Sequence, residues 1–241
     1  MSERIALISG ANKGIGFEVA RQLGGAGIAV LVGSRDTGRG EEAVSKLSSE
    51  GVKAQLVQLD VTDPDSIDGA ARRIDEQFQR LDILVNNAGI MLDLGQPPSQ
   101  VELATLRSTF DTNVFGAFAL TRAMWPLLLA SEAGRIVNVS STLGSFEKNN
   151  DPSWEFAAAK ILAYNTSKAA LNMMTVQLAY ELRDSPVKIN TACPGFVATD
   201  MNQHRGTRSV EEGAAILTQL ATLPADGPSG GFFDDSGPVD W

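Results

Sequence analysis

The sequence is short of the residues that build metal centres and disulfide frameworks. Its 241 residues hold one cysteine, Cys193, and one histidine, His204. A single cysteine excludes an internal disulfide framework and fits a reducing cytosol, so a cytoplasmic location is expected. A histidine with no Cys/His cluster around it speaks against zinc, and no metal is expected. Basic residues are scarce too: 20 Lys and Arg stand against 29 Asp and Glu, a net charge of −9. That balance disfavours nucleic acid and anionic membrane surfaces as partners, while leaving room for a local phosphate site. No apolar run reaches the length of a membrane span. The start, residues 1–9, is too briefly apolar for a signal peptide. Repeats and linkers are absent as well.

What is present is an alternation of elements. A hydrophobic fraction of 43% with 23 glycines fits a well-packed α/β protein, and the length suits a single domain over 1–241. Short apolar runs at 4–9, 28–32, 52–59, 81–85, 135–139 and 187–192 read as strands, with a last one at 230–233. Helical patterns lie between them at 17–23, 39–50, 64–79, 106–130, 169–182 and 210–223. Asp63 caps the third, with Pro64 in its first position. Pro126 is expected to kink the long fourth one. This rhythm implies a doubly wound parallel sheet of about seven strands, Rossmann-like, with helices on both faces and right-handed crossovers. Residues 146–160 read as an inserted loop and 234–241 as an acidic tail.

Two short motifs carry chemistry. The first strand runs into Gly10-Ala11-Asn12-Lys13-Gly14-Ile15-Gly16. Glycines there let a backbone approach a pyrophosphate, and the following helix offers unpaired N–H groups. The spacing is G-x-x-x-G-x-G and not G-x-G-x-x-G, so a plain strand-to-helix turn stays open as a reading. The second motif is Tyr164-Asn165-Thr166-Ser167-Lys168, whose Tyr and Lys share one helix face. A phenol is a poor acid, with a free pKa of about 10, and a neighbouring ammonium favours its phenolate. The pair suits proton transfer to a carbonyl oxygen, and a surface Tyr beside a solvated Lys is the alternative. Tyr180 lacks a basic partner and reads as a packing residue. Lys160 reads as a solvated charge, Cys193 as packing, and His204 as solvated.

In order, the chain shows Ser9-Gly10-x-x-x-Gly14-Ile15-Gly16, Asp60-Val61, Asn86-Asn87-Ala88-Gly89, Asn113, Val137-Asn138-Val139-Ser140-Ser141, Tyr164-x-x-x-Lys168 and Pro194-Gly195. Together these resemble the short-chain dehydrogenase/reductase family in its single-domain form, over the whole chain. The glycine spacing is that family's own. Within it the sequence looks most like the carbonyl reductases. The resemblance implies reduction of an aldehyde or ketone by hydride from NADPH, with Tyr164 as proton donor. Lys168 would lower the Tyr164 pKa and hold the nicotinamide ribose. Asn113 would anchor a relay water, and Ser141, with Ser140 as its neighbour, would polarise the carbonyl. Gly10, Asn12, Lys13, Gly14, Ile15 and Gly16 would line the pyrophosphate. Asp60, Val61, Asn87, Ala88 and Gly89 would follow along the cofactor. Pro194, Gly195, Phe196, Val197 and Thr199 would close over the nicotinamide, with 203–208 as a mobile lid.

The cofactor expectation sets two rules against each other. Asp36 lies 20 residues beyond Gly16, where a general rule places the ribose acid of an NAD site. The resemblance puts the deciding position at Ser34, with no charge, beside Arg35. It therefore implies NADP(H), held by Ser34, Arg35 and Lys13. The distance from Ser141 to Tyr164 exceeds the family's usual one. The excess lies in 146–160, where Trp154 and Phe156 either line the substrate pocket or cover a helix. That insertion precedes the Tyr164 helix directly, so a monomer or homodimer is expected in preference to a tetramer. An oxidative alcohol or steroid dehydrogenase is the alternative. A non-catalytic dinucleotide sensor would not need the four catalytic residues, and an epimerase needs more chain than the 46 residues beyond Gly195.

Overall fold

A computed structural model describes residues 3–241. Met1 and Ser2, which begin the expected domain and the stretch weighed as a signal peptide, lie outside the described residues. Strand β1 (Ile5–Ser9) shows the plan in five residues. Ile5 and Leu7 enter one apolar core, and Ala6 and Ile8 enter another. A strand buried on both faces must be covered on both, so helices pack on either side of the sheet.

The sheet has eight strands in the order β3-β2-β1-β4-β5-β6-β7-β8. They are β2 (Ala29–Ser34), β3 (Ala54–Gln58), β4 (Ile83–Asn86), β5 (Arg135–Val139), β6 (Lys188–Ala192), β7 (Phe232–Asp234) and β8 (Gly237–Pro238). All pair in parallel except β8, which turns back antiparallel on β7. The strand order reverses between β1 and β4, and that switch point opens a crevice at the strands' carboxyl ends. Helices α1 (Gly14–Gly25), α2 (Thr37–Ser49) and α8 (Val210–Ala221) cover one face. Helices α3 (Pro64–Phe78) and α5 (Ala117–Leu129) cover the other. Among the described residues no helix is long and apolar enough to cross a membrane.

Three expectations are corrected. The helix expected over 106–130 is α4 (Leu103–Phe110), a π turn over Asp111–Gly116, and α5. α5 runs on through Pro126, so the irregularity lies earlier in the chain than expected. Two contacts hold the wide turn. Asn113 is drawn to Ile90, and a Cβ on Gly116 would lie 2.7 Å from the Val61 carbonyl oxygen. The loop expected at 146–160 begins with a short helix, α6 (Phe146–Asn150), whose cap Ser145 accepts the Lys148 N–H. The expected acidic tail forms β8 and then stacks Trp241 on Phe232, 5.5 Å between centroids. Ser145 and Glu147 donate to the Asp240 and Trp241 carbonyls, which joins this segment to α6.

Arg135 at the start of β5 is buried, and among the described residues no carboxylate pairs with it. Its guanidinium instead donates to the carbonyls of Gly134, Pro186, Leu223 and Pro224 at 2.7–3.2 Å. Replacing it with Leu strands those carbonyls, each stranded buried group costing about 1–3 kcal/mol. Water entering the site recovers part of that, so Arg135→Leu is expected to cost about 3 kcal/mol overall. For a chain of this size the melting midpoint then falls by about 6–12 °C. Thermal unfolding followed by circular dichroism checks it, and an unchanged midpoint refutes it.

Candidate active site

The crevice is built by four loops at the carboxyl ends of β1, β4, β5 and β6. The glycine turn after β1 is shaped by close approach. A Cβ on Gly16 would lie 2.4 Å from Asn87 Nδ2 and 2.7 Å from the Gly10 carbonyl oxygen. Gly10 and Gly14 take positive φ, +63° and +57°. Lys13, before α1, offers no side-chain cap, so the first N–H groups of that helix are left for an anion. Asn87 donates to the carbonyls of Ser9 and Gly10, while Ser9 Oγ accepts the N–H groups of Asn87 and Ala88. The Asn-Asn-Ala-Gly segment thus fastens the glycine turn to β4. Asn86 points the other way, into a buried chain with Thr121 and Asn138.

Beside the turn lies a cleft of about 340 Å³ lined by Asn12, Lys13, Arg39, Glu42, Ala43, Lys46 and Asp200. Ser34 ends β2 buried, its Oγ donating to the Asp36 carbonyl at 2.7 Å. Asp36 accepts the Arg39 N–H at 3.0 Å as the N-cap of α2. Its carboxylate is thereby committed to the helix. Arg35 extends into solvent, 79% exposed, with Asp60 at 4.0 Å. Asp60 itself accepts from Thr62. Val61 packs on Gly116. Arg39 was not among the expected cofactor residues. The signal was Asp36, whose helix-cap role places Arg39 in the first turn of α2, facing the cleft.

Helix α7 (Leu162–Glu181) carries Tyr164 in its first turn and Lys168 one turn later. Ser140 and Ser141 differ in their surroundings. Ser140 is buried and donates to Asn172 Oδ1 at 2.6 Å, inside the core. Ser141 Oγ accepts the Leu143 N–H at 3.2 Å, and the Ser141 hydroxyl stands near enough to the Tyr164 phenol to favour its ionised form. Lys168 is buried; its Nζ donates to the Val139 carbonyl at 2.7 Å and lies 5.4 Å from the Tyr164 ring centroid. Asn113 Nδ2 donates to the Ile90 carbonyl and to Ser167 Oγ, while its Oδ1 accepts the Ile90 N–H. The Asn113 side-chain amide is therefore engaged at both ends.

The electrostatics correct one expectation. Burial pushes the Tyr164 phenol above its ordinary value, Cys193 adds to the rise, and the nearby Ser141 hydroxyl opposes it. Desolvation here outweighs any help from the lysine, whose ammonium is turned to Val139. Burial also lowers Lys168, to about 8. Cys193 is buried as expected, but it is also part of the site. Its Sγ accepts the N–H groups of Thr142 and Gly195 at 3.3 and 3.4 Å, tying the end of β5 to the segment after β6. That segment runs Pro194, Gly195 (φ +79°), Phe196, Val197, Thr199 and then doubles back, with Ala198 N–H bonded to the Arg208 carbonyl. Asp200 accepts from Lys13 at 2.6 Å and meets His204 Nε2 at 2.9 Å, so it bridges this segment to the glycine turn. Phe196 meets Phe156 of the insertion at 5.7 Å, and Phe156 meets Trp154 at 5.6 Å. Lys160 donates to the Asn149 carbonyl from an exposed position. Tyr180, expected to pack, is 70% exposed and stacks under Arg183.

A doubly wound sheet whose crevice joins a glycine turn to a Tyr–Lys helix defines a dinucleotide-binding class of fold. A family model described as short chain dehydrogenase matches residues 4–209, and the chain belongs to that family. It is 35% identical to salutaridine reductase from Papaver bracteatum, covering 97% of this chain and 94% of that one. It is 38% identical to (+)-neomenthol dehydrogenase from Arabidopsis thaliana, covering 95% of each. Among solved structures it is similar to the NADPH-bound carbonyl reductase from chicken fatty liver. The TM-score there is 0.86 at 28% identity, and both chains are covered completely.

Proposed function

We propose that this protein reduces an aldehyde or ketone carbonyl to an alcohol with NADPH, as one domain with Tyr164 as proton donor. The observation that carries the reading is the placement of Tyr164 in the first turn of α7, beside Ser141 after β5 and with buried Lys168 one turn behind. The glycine cradle, the free N-terminus of α1 and the cations at the cleft fit a phosphate-bearing dinucleotide. The NADPH-bound reductase among its structural neighbours supports the same cofactor. When bound, the cofactor supplies the hydride that adds to the carbonyl carbon. Ser141 Oγ donates to the carbonyl oxygen and stabilises its growing negative charge. The Tyr164 hydroxyl gives that oxygen its proton, and C=O becomes CH–OH. A phenol kept protonated by burial suits this direction better than the oxidative one. The resulting phenolate is reprotonated by the Lys168 ammonium, refilled through a water anchored by Asn113. Trp154, Phe156 and Phe196 stack in series beside the segment after β6, and we take them as an apolar wall for the substrate that favours bulky cyclic or aromatic carbonyls. The insertion directly before α7 supports a monomer or homodimer.

The test is a panel of aromatic aldehydes, cyclic ketones and quinones, followed by loss of NADPH absorbance. Oxidation of alcohols with no carbonyl reduced on the panel refutes the proposal. A pH dependence follows from Lys168. Its ammonium is charged below about 8 and neutral above it. The reductive kcat is therefore expected to hold at neutral pH and to fall about tenfold per unit once pH exceeds that value. A kcat that rises through pH 9 contradicts the lysine's role.

A further inference from the structure

The loop after β4, residues 89–93, crosses from the glycine turn to α7 and is fastened at both ends. Ile90 exchanges two hydrogen bonds with the Asn113 side chain, at 2.8 and 2.9 Å. Asp93 at the far end is fully buried, and its Oδ2 accepts the Ala163 N–H at 2.6 Å. Ala163 immediately precedes Tyr164. A helix leaves its first N–H groups without partners, and the chain before α7 supplies none. Ile161 has no capping side chain, and the first turn of α7 holds no acid. Elsewhere the caps are local, as Asp36, Asp63 and Ser209 show. At α7 the cap comes from 70 positions away.

The arrangement is a costly one. Asp93 Oδ1 is buried with no hydrogen-bond partner among the described residues. A buried carboxyl oxygen left without a partner is destabilising, and the Ala163 N–H satisfies only the other oxygen. A serine or asparagine in place of Ile161 could cap the helix without that cost. What Asp93 adds is a fixed distance between the floor of the crevice and the turn that carries Tyr164.

We infer that Asp93 is a positioning residue for Tyr164, holding the first turn of α7, and with it the phenol, in place at the crevice. The inference rests on the proposed role of Tyr164 as proton donor. The test compares Asp93→Ala, Asp93→Asn and Tyr164→Phe in NADPH-dependent reduction of 4-nitrobenzaldehyde. An ångström of misplacement at a reacting group lowers rates by up to about 100-fold. Asp93→Ala is expected to lower kcat about 10- to 100-fold on that scale, with KM and Kd for NADPH held within about threefold. Asp93→Asn keeps an acceptor for the Ala163 N–H and is expected to restore kcat to within about threefold of the parent. A normal kcat in Asp93→Ala overturns the inference. So does a parallel loss of kcat and NADPH affinity, or an Asn variant as impaired as the Ala one. Should Asp93→Ala not fold, Asp93→Ser decides, because its hydroxyl falls short of Ala163. The same drop in kcat is expected there, and an unchanged kcat overturns the role. Tyr164→Phe separates this inference from its parent. If the Phe variant turns over normally, the donor assignment fails and Asp93 with it. If the Phe variant is dead and Asp93→Ala is normal, the positioning role alone fails.

Discussion

Tyr164→Phe is expected to lower turnover by about 10²- to 10⁴-fold, the usual contribution of a positioned general acid. The substitution removes one hydroxyl and leaves the ring. That hydroxyl is the proposed proton source, so its loss leaves the carbonyl oxygen with Ser141 as a hydrogen-bond donor and no acid. The ring stays packed, and the fold is expected to be unaffected. NADPH affinity is expected to stay close to the parent value, because the glycine turn, Arg35 and Lys168 are untouched. Lys168→Ala behaves differently. Its ammonium is buried against the Val139 carbonyl, at the floor of the crevice, so its loss damages cofactor affinity and turnover together. Fluorescence titration with NADPH, paired with steady-state reduction of one ketone, separates the two patterns. Near-normal reduction by the Phe variant removes Tyr164 from the chemistry.

Much of this site could be read from the residues, for a physical reason. β1, β2, β4, β5 and β6 are short runs buried on both faces, and such burial leaves them few alternatives, while β3 is a half-exposed edge strand. The glycine turn and the Tyr–Lys pair are local, so spacing alone reports them. What escaped the sequence depends on contacts between distant segments. The π turn at 111–116 exists because Asn113 reaches Ile90 and Gly116 touches Val61. Neither contact leaves a mark on the apolar periodicity, which reads through as one helix. β8 is two residues long and forms only where β7 gives it a partner. The direction of the Tyr164 shift was misjudged because pair spacing says nothing about desolvation. Once buried, Lys168 finds a nearer acceptor in Val139, and the phenol is governed by its surroundings. Asp93 was invisible for the same reason, since its partner lies on a helix 70 positions later.

Arg35→Ala is expected to separate the two nicotinamide cofactors. NADPH carries a 2′-phosphate and NADH does not, so a cation at that position matters to one and not to the other. Ser34 at the end of β2 presents no charge, and its hydroxyl is already turned to the Asp36 carbonyl. Asp36 is the residue that a general NAD rule would select. Its carboxylate caps α2 through Arg39, which leaves it poorly placed to receive a ribose. Arg35 extends into solvent with Asp60 near it, at 4.0 Å, and can fork onto phosphate oxygens, while Arg39 and Lys13 line the neighbouring cleft. Lys13 is occupied by Asp200, so it must leave that partner before it can serve the phosphate. Arg35 is thus the cation with least to give up. A hydrogen bond to a charged group is worth about 1.5–3 kcal/mol. Its loss should weaken NADPH about 10- to 150-fold and NADH far less. Ser34→Asp should act in the opposite sense for NADH, adding an acceptor for the ribose hydroxyls while repelling the phosphate. The measurement is kcat/KM for both cofactors on one ketone, for the parent and the two variants. A parent that prefers NADH, or an Arg35→Ala variant that weakens both cofactors equally, returns the selecting role to Asp36. In that case the helix cap at α2 would have to open for the cofactor to bind.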